Sequence, residues 1–290
     1  MKLKEPRTFE EQLNILESRG IIVNDRDACL DFLCKVNYYR FTAYLLTFRK
    51  EDGEHYRGVP FETPYMIYMF DQQLRTLLSS YIEDIEVHLR TQIAYYHAHK
   101  YGPDGYEKGE NYNRRHDHNQ FWNHVESCIE DHRNTPVVIH HREKYEGHFP
   151  VWVIVELFSI GQLSYFYRGL KGSDREKISR KLYGVKSKTL LSWFRCLTDL
   201  RNRCAHYARL YYWVFPAIPT LSCYGIDMET EEDNRKLFYQ IFMLSKMYPD
   251  SKTWNLQFMN KLSSLIDSYK DYINLNCIGF PQNWKELLTK

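Results

Sequence analysis

The sequence predicts an all-α protein, and three observations lead to that prediction. Apolar residues recur at three- and four-residue steps over a long stretch, 63–100, that no glycine and only one early proline interrupts. Residues typical of helix starts and helix stops recur along the whole chain. Alternation of period two is short-lived and β-branched residues are sparse, so strands have little support. We therefore expect a helical bundle.

The first 60 residues predict short helices. Thr8 and Glu11 have the spacing of a capping box in front of an amphipathic segment. Asp25 is placed to cap a second helix. The segment 37–48 then continues in apolar and aromatic residues.

The long central helix is expected to begin at the Thr-Pro pair of positions 63 and 64, an N-cap followed by proline at the first helical position. It should run to residue 100 with at most one break, and its apolar stripe suits the spine of a bundle. A polar segment rich in glycine and asparagine, 101–118, follows as a connection.

Further helices are predicted for the rest of the chain, at 119–133, 151–169, 173–183, 187–207, 230–247, 253–275 and 281–288. The predicted organisation is an N-terminal helical region 1–60, a central helical domain 61–215 with a polar insertion near 101–147, and C-terminal helices 216–290.

Composition and charge narrow the classes of protein. The seven cysteines are scattered without a C-x-x-C pair, which is typical of small buried residues in a reducing compartment. No apolar run is long enough to span a bilayer, so a cytoplasmic protein without a membrane partner is expected. Residues 168–209 hold twelve Lys/Arg against three acids, although the net charge is only +2. This basic block is either a polyanion site or a set of solvated helix faces.

The predicted helix 187–207 carries an arginine on its apolar side. At about 100° per residue from Leu190, Arg201 falls within the arc of the apolar residues, while Asn202 and His206 lie on the polar side. A guanidinium on an apolar face requires an anion or a carbonyl to offset its desolvation. Glu83 and Glu86 on the long helix are the candidate structural partners.

The spacing Arg201-Asn202-x-x-x-His206 at a helix end resembles the R-x-x-x-x-H signature of the HEPN superfamily of RNA-cleaving helical domains. Its surroundings resemble abortive-infection proteins of the AbiD/AbiF type over roughly 8–215. Four stretches carry that resemblance in the family's order: 33–48, 68–102, 148–170 and 190–213. The chain departs from the family pattern at Tyr207, where a second histidine is common, and in the following "LYYW".

The resemblance implies a HEPN-like helical bundle that cleaves RNA without metal or other cofactor, by attack of a 2′-hydroxyl on the adjacent phosphorus. His206 would transfer protons, Arg201 would stabilise the charge on the phosphorane, and Asn202 would orient His206 or donate to the phosphate. The residues expected to contact the RNA backbone, each with a solvated or structural alternative, are Arg40, Lys181, Lys186, Lys188, Arg195, Arg203 and Arg209.

The partners that the resemblance implies are RNA substrate, a structured noncoding RNA and a second copy of the chain. Arg201 and His206 stand about 140° apart on a straight helix, so a homodimer or an intramolecular pair of helical domains is expected to join two motif helices. The function expected is an antiviral ribonuclease of the abortive-infection or toxin-antitoxin type. The alternatives are a noncatalytic RNA-binding module and a helical domain that senses a phage component.

Two further clusters have weaker support as sites. The histidines at 116, 118, 140, 141 and 148 lack cysteines at ligand spacing, so no metal site is predicted there. The acids Glu83, Asp84 and Glu86 spread round a helix and are expected to pair with arginines.

Overall fold

A computed structural model describes residues 5–225 and 233–290, which are mostly helical. The helices are α1 Phe9–Ser18, α2 Arg26–Lys35, α3 Tyr38–Thr42, α4 Glu62–Tyr101, α5 His118–Asp131, α6 Pro136–Lys144, α7 Val151–Leu157, α8 Ile160–Gly169, α9 Gly172–Tyr183, α10 Ser187–Ala205, α11 Leu237–Met247, α12 Ser251–Thr253, α13 Met259–Tyr269 and α14 Trp284–Leu288. Short 3₁₀ segments are Ala43–Phe48, Gly105–Glu107, Gly109–Asn111, Ser222–Tyr224, Asp233–Arg235 and Leu275–Ile278. The all-α prediction is confirmed.

The N-terminal helices enclose a hydrophobic cluster of their own. The predicted capping box is present, with Thr8 accepting from the Glu11 amide and the Glu11 carboxylate accepting from Thr8. A two-residue parallel ladder, Ile21–Ile22 (β1) with Val59–Pro60 (β2), ties the beginning of this region to its end. The apolar and aromatic segment 37–48 divides into α3 and a 3₁₀ segment.

Helix α4 is a single 40-residue helix without a break. It begins earlier than the Thr-Pro pair predicts, with Phe61 at the N-cap. Phe61 is buried, and its amide donates to the Ile22 carbonyl at 2.9 Å. A contact with the β1 strand therefore replaces the side-chain cap that the sequence favoured.

The main hydrophobic core surrounds α4, which packs against α7, α10 and α13. Helix α10 lies between α4 on one side and α8, α9 and α11 on the others. Its apolar face is completely covered, and Trp193 and Phe194 are fully buried. The fold therefore holds α10 rigidly and leaves its polar stripe and its C-terminal end exposed.

Several boundaries differ from the predictions. The segment 151–169 forms two helices, because the backbone is extended at Phe158 and Ser159 starts α8 with a capping box to Gln162. Helix α6, with proline in its first turn, was not predicted. Part of the predicted helix 230–247 lies outside the described residues.

At the C-terminus, α12 continues through a π-helical turn, Trp254–Phe258, into α13. That helix ends well before residue 275. Of the cysteines, Cys34 and Cys223 are exposed, which corrects the expectation that all are buried. Within the described part of the chain, none of the helices has the length and apolar character needed to cross a membrane.

Candidate functional site

Helix α10 ends within the Arg-Asn-x-x-x-His segment, at Ala205. His206 is the C-cap, and Tyr207 follows with a positive φ of 56°. The Ala208 amide donates to the Arg203 carbonyl at 2.8 Å and the Tyr207 amide to the Cys204 carbonyl at 3.2 Å, which is a Schellman ending. Glycine usually occupies the position of Tyr207, where another residue costs about 1 to 2 kcal/mol. The surrounding structure must therefore hold this turn.

The turn is held by cationic side chains from two other regions of the chain. Arg40 of α3 donates to the Tyr207 carbonyl, and Arg75 of α4 reaches the Ala208 carbonyl at 3.5 Å. Arg40 is exposed, so this contact uses one side of a guanidinium that solvent also reaches.

The segment after the turn is anchored on Asp71, which is fully buried in α4. Its carboxylate accepts from the Tyr211 amide at 2.8 Å, from the Leu210 amide at 3.1 Å and from the Tyr44 hydroxyl at 2.6 Å, and it pairs with Arg75. Burial raises the pKa of Asp71, and these donors oppose that shift. Asp71 was not predicted from the sequence, although an aspartate on an apolar stripe four residues before an arginine is a usable signal.

Arg201 lies against a buried carboxylate that a second arginine also contacts. Its Nε is 3.3 Å from Oε1 of Glu86, while Arg90 approaches Glu86 Oε2 at 3.4 Å and donates to the Phe158 carbonyl at 2.9 Å. Glu86 is the partner among the two candidates; Glu83 is exposed and makes no ion pair with the described residues.

The Arg201 guanidinium is less buried than its position on the helix predicts. The side chain is 41% exposed, although its helical position lies within the arc of apolar residues. It lines a cavity of about 360 Å³ together with Glu86, Arg90 and Ala205. The Glu86 Oε1 atom has no hydrogen-bond partner among the described residues, so the contact with Arg201 is an ion pair without hydrogen-bond geometry.

Asn202 and His206 are exposed, and neither side chain makes a hydrogen bond to the described residues. Among the described residues, the link between them is the helical bond from the His206 amide to the Asn202 carbonyl, at 2.9 Å. Neither residue lines the Arg201 cavity. Within one chain, the three motif residues therefore do not converge on one point.

Arg203 and Arg209, expected as RNA contacts, are used within the protein. Arg203 lies over the Trp213 ring at 3.6 Å and donates to the Arg209 carbonyl at 2.8 Å, and Arg209 donates to the Ala43 carbonyl. Burial lowers the pKa of both guanidinium groups. These contacts correspond to the structural alternative that the sequence left open.

The other expected RNA contacts remain on the surface. Lys186, Lys188 and Arg195 are exposed on or beside α10, and Lys181 of α9 lies 5.5 Å from the centre of the Tyr95 ring. No group of three or more His, Cys, Asp or Glu side chains placed to hold a metal occurs in residues 5–225 and 233–290.

A family model described as Abi-like protein matches residues 31–212. The chain belongs to the Abi-like protein family. The matched segment runs from α2 through Tyr212, so it contains the Asp71 anchor, the Glu86 pair and the whole motif at the end of α10. Membership indicates a role in abortive-infection defence. No curated protein and no solved structure matches the chain.

Proposed function

We propose that this Abi-like protein is a metal-independent HEPN endoribonuclease whose activity serves abortive-infection defence. One observation carries the proposal: in a segment where Arg203 and Arg209 are committed to internal contacts, the motif residues Arg201, Asn202 and His206 present exposed polar atoms. Side chains kept available on a rigidly anchored helix end are suited to bind a ligand.

The proposed chemistry assigns a role to each motif side chain. His206 exchanges protons with the attacking 2′-hydroxyl or the leaving 5′-oxygen, because imidazole accepts and donates protons near neutral pH. Arg201 binds the nonbridging oxygens of the phosphorane, which carry the charge that develops during attack. Asn202 donates to the same phosphate or orients His206.

The contact with Glu86 suits Arg201 to this role. Glu86 is shared with Arg90, so its charge stays compensated when Arg201 moves to a phosphate. The ion pair lacks hydrogen-bond geometry, and the guanidinium can therefore exchange one anion for another at modest cost. Glu86 thus positions the arginine without consuming its terminal nitrogens.

A composite site in a homodimer is part of the proposal. Arg201 lines a cavity that His206 does not reach within one chain. If two α10 ends face each other, Arg201 of one protomer and His206 of its partner can approach one phosphate. RNA is the proposed substrate, and a structured noncoding RNA is the proposed regulatory partner, which would copurify as a discrete species from the native locus.

The test is incubation of purified protein with total RNA and a labelled structured RNA in the presence of EDTA. We expect cleavage with 2′,3′-cyclic phosphate ends, lost in His206→Ala and Arg201→Ala and retained in His140→Ala, which removes another exposed histidine. Circular dichroism checks that all variants fold. Cleavage that persists in His206→Ala contradicts the assignment, and RNA binding without cleavage by all proteins favours the noncatalytic RNA-binding module.

A further inference from the structure

Two neighbouring cavities form one groove beside α10, on the side that the Arg201 cavity does not occupy. Their volumes are about 570 and 420 Å³, and they share Tyr165, Arg168 and Leu191. The shared residues make the two cavities continuous along α8. We call this feature the basic groove.

The groove is lined by cations and by no carboxylate among the described residues. The five cations are Arg115, Arg168, Arg175, Lys188 and Arg195. None of them forms a salt bridge with the described part of the chain, whereas Arg26, Arg75, Arg90 and Arg201 all do. Five unneutralised cations around one concave surface repel each other, so this surface is suited to an anionic ligand.

Two buried nitrogens at the groove lack partners. The Arg175 Nε and the His116 Nε2 make no hydrogen bond to the described residues. Burial lowers the pKa of His116 to about 4, so its imidazole is neutral at physiological pH. Such buried polar atoms are normally satisfied, and a bound ligand or water is the usual explanation when the protein supplies nothing.

The groove also contains an aromatic surface. The Arg168 guanidinium lies 4.9 Å from the centre of the Tyr165 ring, and Tyr165 is only partly buried. An aromatic ring beside a guanidinium plane offers stacking surface to an unpaired base, which a duplex does not present.

The groove and the motif lie on the same stripe of α10. Relative to Leu190, the helical positions of Lys188, Arg195, Asn202 and His206 fall at about 160°, 140°, 120° and 160°. They therefore follow one another along one face. Arg195 and His206 are about 16 Å apart along the helix axis, a distance that a strand of a few nucleotides can span.

We propose that the basic groove binds the phosphate backbone of an unpaired RNA strand and directs that strand along α10 to His206. This inference rests on the proposed function in taking RNA as the ligand. It adds Arg115, Arg168 and Arg175 to the RNA contacts expected from the sequence and places Lys188 and Arg195, which the sequence also predicts as RNA contacts, in the same groove.

The first test measures RNA affinity in the His206→Ala background, so that cleavage does not interfere. A labelled unpaired oligonucleotide and its duplex are titrated at several salt concentrations with the full-length protein. Each phosphate contact to a single strand contributes a slope of about 0.7 to the plot of log K against log salt. We expect Lys188→Ala with Arg195→Ala to lower that slope by about 1.4 and Tyr165→Ala to weaken unpaired RNA more than duplex.

Lys177→Ala is the matched control, because it removes an exposed cation from the same basic block outside the groove. It should leave the slope unchanged. Equal slopes for the groove variant and the control overturn the inference. If the groove variant instead shifts sedimentation of the RNA-free protein, the groove is an interface between copies and the inference is also overturned.

The second test separates this inference from the proposed function. In the cleaving protein, the groove double variant should raise KM about tenfold or more and leave kcat within twofold, because its contacts are the same in the ground and transition states. If the wild type cuts no RNA but the groove variants still lose binding, the groove stands and the ribonuclease assignment fails. If the wild type cuts and the groove variants match it in KM, the groove fails alone.

Discussion

Arg201 and Arg203 are two positions apart on one helix, yet they have opposite surroundings. Arg203 stacks on Trp213 and donates to a carbonyl. Among the described residues, the side-chain contact of Arg201 is an ion pair of loose geometry with Glu86, and its side chain is 41% exposed. The same contrast separates the anchored segment after the motif, held by Asp71, from the unengaged Asn202 and His206.

The number of charges in this segment is therefore a poor guide to the position of the site. What distinguishes the two groups is whether the side chain makes hydrogen bonds or ring contacts within the described part of the protein. Buried polar groups normally have internal partners, whereas exposed polar groups without internal partners are available to ligands. We therefore expect substitutions of Asp71 and Arg203, the anchored side, to affect stability. Substitutions of the motif residues Arg201, Asn202 and His206, the unengaged side, should affect activity.

The largest expected effect on the anchored side is that of Asp71→Ala. Removing the carboxylate leaves Arg75 buried and unpaired, and it also leaves the Leu210 and Tyr211 amides without an acceptor. We expect a loss of about 3 to 5 kcal/mol in the free energy of unfolding, measured by denaturant titration. Glu83→Ala, at an exposed position on the same helix, should change stability by less than about 0.5 kcal/mol. A small effect at Asp71 would break the comparison.

Buried His97 and exposed His206 are expected to differ in their effect on the pH dependence of stability. His97 is fully buried without a hydrogen-bond partner among the described residues, and burial lowers its pKa to about 4. The unfolded chain therefore binds a proton first as pH falls, so stability present above about 6.5 is lost between about 6.5 and 4. We expect a loss on the order of 3 kcal/mol in that window, with nearby Asp174 opposing it and Lys100 adding to it.

The measurement is the free energy of unfolding of wild type, His97→Phe and His206→Ala at several pH values. His97→Phe should flatten the dependence, and His206→Ala should retain it. A wild-type protein equally stable at pH 7 and pH 4.5 would contradict the placement of His97.

Much of this arrangement could be predicted from the sequence. The periodicity of α4 and the capping signals gave the long helix and the N-terminal helices, because these depend on local spacing. The position of Arg201 on the helix face led to Glu83 and Glu86 as candidate partners, and Glu86 is the one that pairs with it. Residues 31–212 match a family, which confirms the resemblance at the level of the Abi-like family.

The parts that sequence could not predict depend on contacts between distant segments. The Arg209 guanidinium donates to the Ala43 carbonyl, which is 166 residues away along the chain. The basic groove joins α8, α9 and α10 with the segment that precedes α5, so no window of sequence contains it. The start of α4 after Phe61 likewise follows from the hydrogen bond between Phe61 and β1, and not from the Thr63-Pro64 pair that the local sequence favours.

Single substitutions of the two arginines are expected to have opposite effects on stability and on cleavage. Arg203→Ala should lose a stacked cation and a hydrogen bond, at about 1 to 2 kcal/mol of stability, and keep measurable cleavage. Arg201→Ala should lose less than about 1 kcal/mol, because Arg90 still compensates Glu86, and abolish cleavage. Unfolding curves and RNA cleavage on the same preparations measure both effects. Equal losses of stability at the two positions would remove the distinction.

The smallest expected effect concerns the turn at Tyr207, which joins the motif at the end of α10 to the segment held by Asp71. Tyr207 has a positive φ and is 69% exposed, so its ring contributes little packing to offset the strain. Tyr207→Gly should therefore raise the free energy of unfolding by about 0.5 to 1 kcal/mol, less than the full strain because glycine gains entropy in the unfolded chain. Thermal unfolding measures the shift. Val214→Gly, which removes a side chain from another exposed position of the following segment where φ is not positive, is the control and should not stabilise. If Tyr207→Gly stabilises the protein but reduces RNA cleavage, Tyr207 belongs with the motif residues. Its exposed ring would then contact the ligand and would not stabilise the fold.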